Sequence, residues 1–455
     1  MASRRLTINP EAALYVNDAF LAHYNKPARA RLRGLARNPA IPAGLLRRLV
    51  DEQLREIGST LTFRKKWTDE QFEAVASSPD RKVREMLAQA VHVMPEQRAG
   101  LVEDPEPGVL RALVEGPDYL LTWTWTPQPT LPVWAYERLL ERNPEFELIL
   151  AESPWLPQDL RARLYPAGSS PAPDDEPPLD REQAGARACD DNEWTRVAAA
   201  TDPRLPGDLV ARLAVDPSPE VRLAVSMRPE FSEQQRAAID YHVGPDDRVR
   251  PARWATDTRD PRVQRRCVFS AHIGLRRSVA CNRHLTPDLV AVLATDDDFA
   301  VRLMLCENNP HVDSDTVLDT YLEATTMTRG RLLHHPRFPR TGLARLAGSP
   351  DPQARALVVL DPDAAPELIE RISHDAHPVV RQWTADDPRL SSGRVLELFD
   401  DPSTGEAAAA NPHLPVPVMR HILDVAAPLA DDPAEGRAAV YLGRWSPDQL
   451  PPEED

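Results

Sequence analysis

A phrase of about 26 residues returns along almost the whole chain, most fully as Leu205-Pro206-Gly207-Asp208-Leu209-Val210-Ala211-Arg212-Leu213 followed by Asp216-Pro217-Ser218-Pro219-Glu220-Val221-Arg222. Its first apolar residue falls on Ile41, Trp67, Val93, Leu131, Leu156, Leu205, Phe231, Leu285, Val312, Phe338, Ala364, Leu390 and Leu414. A degraded copy lies around Val263, and Trp445-Ser446-Pro447-Asp448 reads as a truncated last one. A unit this short cannot bury its apolar face alone, so its neighbours must cover it. The expectation is an all-α chain, an α-solenoid of about fifteen two-helix repeats.

Each unit predicts two short helices. One begins at the tracked residue and carries apolar residues at i, i+4, i+5 and i+8, as in Leu285, Leu289, Val290 and Leu293, which form one helical face. Proline in its first turn (Pro42, Pro206, Pro287, Pro339, Pro366, Pro415) is tolerated because that N–H has no intrahelical partner. The other helix follows an Asp/Ser-Pro turn and contains Val-Arg, as at Val221-Arg222, Val301-Arg302 and Val380-Arg381. It stops at Asn-Pro or Asp-Pro (Asn38-Pro39, Asp202-Pro203, Asn309-Pro310, Asp387-Pro388, Asn411-Pro412), since proline disfavours helical geometry in the residue before it.

The alternation of Asn-Pro-x-Leu-Pro-x-x-Leu-Leu with Asp-Pro-x-x-x-Val-Arg resembles the leucine-rich repeat variant family, over roughly residues 28 to 450. The resemblance implies a right-handed superhelix in which α-helices alternate with short helices, some of them 3₁₀. One member of that family also carries an amino-terminal cysteine-bound iron–sulfur cluster, but this chain has no cysteine before Cys189, so that cofactor is not carried over and no cofactor is expected.

Interruptions of the period set the expected divisions. Residues 1–27 are expected to cap the array, and 28–165 to form an amino-terminal array. Within that array lies a Trp-rich insertion at 119–129. The Pro-rich, acidic stretch 166–188 is a linker or an insertion, because it offers little to bury. A carboxy-terminal array at 189–450 and an acidic tail at 451–455 complete the chain. The net charge of −16 argues against broad attraction to nucleic acid or anionic membrane. With no apolar run of signal-peptide type and only four cysteines, a cytoplasmic setting and no membrane contact are expected.

Arg196, Arg222, Arg250, Arg276, Arg302, Arg329, Arg355 and Arg381 share one repeat position. Stacked, they make either an anion-binding column or an internal ladder paired with turn acids (Asp216, Asp296, Asp351, Asp375) lying four to six residues earlier; the internal ladder is favoured. Cys267, Cys281 and Cys306 read as small apolar residues. His334-His335 and His374-x-x-His377 read as turn residues, so no metal site is expected. No catalytic motif occurs, and no catalytic residue is assigned.

The leading functional expectation is therefore a non-catalytic scaffold for a protein or peptide partner, and the chain is expected to be a monomer. Contacts are expected at Trp123, Trp125 and Trp155, and at exposed positions of the Val-Arg helices (Leu223, Arg277, Gln382). The alternative is a nucleic-acid binder or DNA glycosylase-type enzyme on a similar array. Arg262, Arg265, Arg266, Arg276, Arg277 and Arg283 would then form a basic patch beside Trp254 and Asp257.

Overall fold

The structure is a computed structural model, describing residues 27–116, 130–152, 156, 158–164, 180–245, 247–325 and 328–426. Among these residues the chain is all helical, without a strand. No described helix is long and apolar enough to cross a membrane.

The helices alternate as the phrase predicts. Pro287–Ala294 and Pro366–Ser373 begin at their prolines, and Gly207–Leu213 begins just after Pro206. The unit after Phe338 departs from this, with a 3₁₀ helix at Leu343–Gly348 entered through left-handed Gly342 (φ +72°). Further 3₁₀ turns lie at Gly100–Glu103 and Leu357–Leu360. Successive Val-Arg helices pack on one another: Arg81–Ala88 on Pro107–Glu115, Glu193–Thr201 on Pro219–Ser226, Ile273–Ala280 on Phe299–Asn308, and Pro352–Ala356 on Pro378–Thr384. Every tracked apolar residue outside the degraded and truncated copies is buried, except Trp67 and Phe231, which are half-buried.

Two compact units result, and they are not the arrays expected at 28–165 and 189–450. One holds the described residues 180–339. The other joins 27–164 to 340–426. In the joined unit a single apolar core runs through Leu32, Leu87 and Leu139 and through Ile369, Leu398 and Leu423. The expected cap at 1–26, the insertion at 119–129, most of the 166–188 stretch and the tail lie outside the described residues.

The joint inside this unit repeats the contact between neighbouring repeats. The Asn411 amide donates to the carbonyls of Ala385 and Asp387, at 3.0 and 2.8 Å. Asn38 does the same to Ala409 and Asn411, at 2.9 and 2.6 Å. Helix Gly405–Ala409 therefore stands before helix Pro27–Arg37 as one repeat stands before the next. Arg33 and Arg37 both pair with Glu406, Arg48 pairs with Asp424, and Arg31 lies over the Phe399 ring and donates to its carbonyl. Gly34 permits the approach: a Cβ there would sit 2.0 Å from the Glu406 carbonyl oxygen.

Candidate binding surface

Six of the eight repeated arginines are consumed inside the fold. Nη1 of Arg355 donates to the carbonyls of Ser349 and Pro350, six and five residues back, while Nε and Nη2 grip Asp375 at 2.7 and 2.9 Å. Arg196 holds Asp190, Asp191 and Asp216 in this way, and Arg276 holds Ser270, Ala271 and Asp296. Arg381 reaches Asp401. Arg222 and Arg302 make the same carbonyl bonds and reach Asp240 and Glu323. The expected pairing with acids four to six residues earlier is thus corrected. Those positions give backbone carbonyls, and the carboxylate comes from the next repeat, about 20 residues later. Asp351, from the expected set, instead caps its own helix at Gln353 N.

Each such arginine fastens the start of its own helix to the following unit by charge-assisted bonds. The Arg355 bonds hold the Asp375 carboxyl below the usual carboxylate range. Arg84, paired with Asp104 and with the Ser78 carbonyl, belongs to this series and was not among the arginines picked out by the repeat.

Arg250 and Arg329 depart from the pattern. Arg329 lies over the Tyr321 ring, 4.2 Å from its centre. Arg250 is exposed, and Pro251 explains why. Proline inside a helix removes a hydrogen bond and clashes with the preceding turn. In this unit the helix is therefore delayed to Arg253–Thr256, and residues 247–252 run without helical structure.

The unwound segment leaves backbone groups that the next repeat satisfies. Arg277 donates to the carbonyls of Asp247 and Gly244, at 2.9 and 3.0 Å, and is clamped by Asp298 at 2.7 Å. The Ser278 hydroxyl accepts from Ala252 N at 3.0 Å. Arg277, expected on the exposed face, is only 1 % exposed, so it is not available to a partner. The position after the ladder arginine is buried in other units too, as Val197, Leu303 and Ala356 show, and beside the break Arg277 fills it as a plug.

Buried beside this break, His272 stacks on Tyr241 at 4.1 Å and bonds Ser226 through Nε2 at 2.8 Å. Its Nδ1 has no hydrogen-bond partner among the described residues. Burial, aided by Arg236, pushes the imidazole down to about 4.

What faces outward here is cationic. Residues 248–266 hold seven arginines and two aspartates in a chain of net charge −16. Arg276 and Arg277 of the expected basic patch are internal, Arg265 pairs with Asp288, and Arg266 lies over Trp254 and donates to the Pro229 carbonyl. Arg262 and Arg283 are exposed, as are Arg248, Arg250, Arg253 and Arg259. None of these six guanidinium groups has an ion-pair or hydrogen-bond partner among the described residues.

Arg259, Arg262 and Arg283 share one edge. The Asn282 amide donates to the Thr258 carbonyl at 2.8 Å, and Gln264 bridges the Thr258 and His284 carbonyls at 3.1 Å each. These bonds tie the turn of Arg259, which leads into the helix Pro261–Val268 that carries Arg262, to the turn of Arg283. Sequence reasoning picked out Arg262 and Arg283 but missed Arg259. The signal that could have found it is its place just before Asp260-Pro261, in the turn between helices Arg253–Thr256 and Pro261–Val268.

The remaining expected contacts are dispersed. Leu223 is half-buried against the cluster of Met227, Val249 and Leu275, and Gln382 is exposed. Trp123, Trp125 and Trp155 lie outside the described residues. Cys267 and Cys306 are buried and Cys281 half-buried, and burial pushes each thiol up to about 11. His377 caps a helix at Val379 N, and His335 bonds the Asn309 carbonyl. Among the described residues no three potential ligands gather to hold a metal ion.

No family model matches the chain, and no curated protein matches it.

Proposed function

We propose that this chain is a right-handed α-solenoid of about fifteen two-helix units, of the leucine-rich repeat variant type. In this reading it acts in the cytoplasm as a non-catalytic scaffold that binds a protein segment rich in carboxylates. One observation carries the choice of partner. The repeat spends most of its arginines on internal clamps, whereas Arg259, Arg262 and Arg283 stand exposed, without a partner among the described residues, on segments tied by hydrogen bonds. Guanidinium groups so placed match carboxylates in fork geometry, and an overall acidic chain would orient an acidic partner towards this one edge.

The test is fluorescence anisotropy with a labelled Glu/Asp-rich dodecapeptide against wild-type and R259E/R262E/R283E chains. Wild-type binding that weakens with salt and at least tenfold loss in the variant support the reading; equal binding by both refutes it. Phosphates would also attract these arginines, so duplex DNA run in parallel separates the alternative. A shift of DNA at low ionic strength without peptide binding would move the assignment to nucleic acid. The insertion with Trp123 and Trp125 is proposed as a second contact, for which W123A/W125A is the corresponding variant.

A further inference from the structure

We infer that the joint between residues 27–53 and 399–426 is exchangeable, and that a second copy of this chain can supply residues 27–164 to close it. The inference is independent of the acidic-partner reading. It starts from the contact itself: Asn38 reads the carbonyls of Ala409 and Asn411, and Glu406 sits between Arg33 and Arg37. Gly34 lies against the Glu406 backbone, and Gln53 reaches the Ala426 carbonyl.

This is a repeat-on-repeat contact, yet its partners are up to 376 residues apart in the chain. Neighbouring repeats elsewhere are held in register by a short covalent turn. Here no such turn exists, so the same surfaces meet equally well from one chain or from two. Such an interface is heterologous, and exchange of an identical segment is the low-cost way for it to close in a dimer.

The path between residues 164 and 180 has the composition such an exchange needs. The stretch from Tyr165 to Leu179, which lies outside the described residues, carries five prolines and three acids. Intramolecular closure benefits from an effective concentration of about a millimolar, so the closed monomer dominates in dilute solution. The exchanged dimer forms when the joint is opened or the chain is concentrated while open.

Complementary charge reversal in the full-length chain tests this. E406R alone sets three arginines together, and R33E/R37E alone sets three glutamates together; each chain then opposes its own closure. Mixed one to one, an exchanged pair has one native and one reversed joint, both of opposite charge. The expected result by size exclusion with light scattering is monomer for each variant alone and a species of twice that mass for the mixture. The R33E/R37E/E406R chain should return to monomer with wild-type helical circular dichroism. A mixture that stays monomeric, or either variant dimerising alone as fully as the mixture, overturns the inference. Should a variant lose its helical signal, refolding of the wild-type chain from urea decides: dimer that grows with protein concentration is expected, and monomer at every concentration overturns it.

Discussion

Asn38 donates to the backbone carbonyl of Asn411 at 2.6 Å, and Asn411 donates in its turn to that of Asp387 at 2.8 Å. The two asparagines occupy the same place in successive layers of one unit, although they come from opposite ends of the chain. The joint they form is held by side chains with no slack around them.

Gly34→Ala should disrupt that joint. The added methyl would meet the Glu406 carbonyl oxygen at 2.0 Å and the Ala409 Cβ at 2.7 Å, so backbone must move. A loss of about 2–3 kcal/mol is expected from overpacking. Hydrogen exchange should quicken in 27–37 and 405–409. Gly207→Ala, with nothing within 4 Å, is the neutral control.

Arg355→Ala removes a clamp between adjacent units. It strands the Asp375 carboxylate, itself largely buried, and frees two carbonyls, for a loss of about 2–4 kcal/mol in urea unfolding. Because the arginine lowers the Asp375 pKa, its stabilisation is present above the ordinary carboxylate range and fades as pH falls through the lowered value. The difference between wild type and R355A should therefore shrink in acid.

His272 should give a pH dependence in a different window. Its folded-state pKa is pushed down to about 4, against about 6.5 in the unfolded chain, so unfolding takes up a proton between those values. Stability is full above pH 6.5 and declines by about 3 kcal/mol as pH falls to 4. Urea midpoints of H272Q should lack this slope; an unchanged slope would assign it to other groups.

Arg277→Ala should unfasten the unwound segment without touching the ladder. It removes three carbonyl bonds to residues 244–247 and leaves Asp298 buried without its cation, at a cost of about 3–5 kcal/mol. Exchange protection should fall first in 244–252. Protection lost uniformly across 180–339 would show that the segment is not a separate element.

The fold was readable where the period is read along one chain. Leu205, Leu285, Val312 and Leu414 were expected inside and are buried, and the ladder position picked out Arg196, Arg276, Arg355 and Arg381. What lies between units was not readable. The acid that meets Arg355 comes from the next layer, and the offset between layers is set by packing that no local pattern encodes. The Asn38 joint was hidden for the same reason, since its partner is another copy of the same motif and the sequence does not say which one. Arg277 was misplaced because the position after the ladder arginine faces the neighbouring layer, as buried Val197, Leu303 and Ala356 show. Pro251 itself was visible, and helix-breaking chemistry could have disclosed the unwound segment and the exposure of Arg250.

The most direct measurement separates arginines spent on the fold from arginines left for a partner. Acidic-peptide anisotropy and urea midpoints are taken together for R259E/R262E/R283E and for R355A. The account predicts that the triple variant loses peptide affinity at least tenfold with its urea midpoint unchanged, while R355A loses stability and, while folded, binds as wild type. Peptide affinity untouched by the triple variant, or lost equally in R355A, would contradict it.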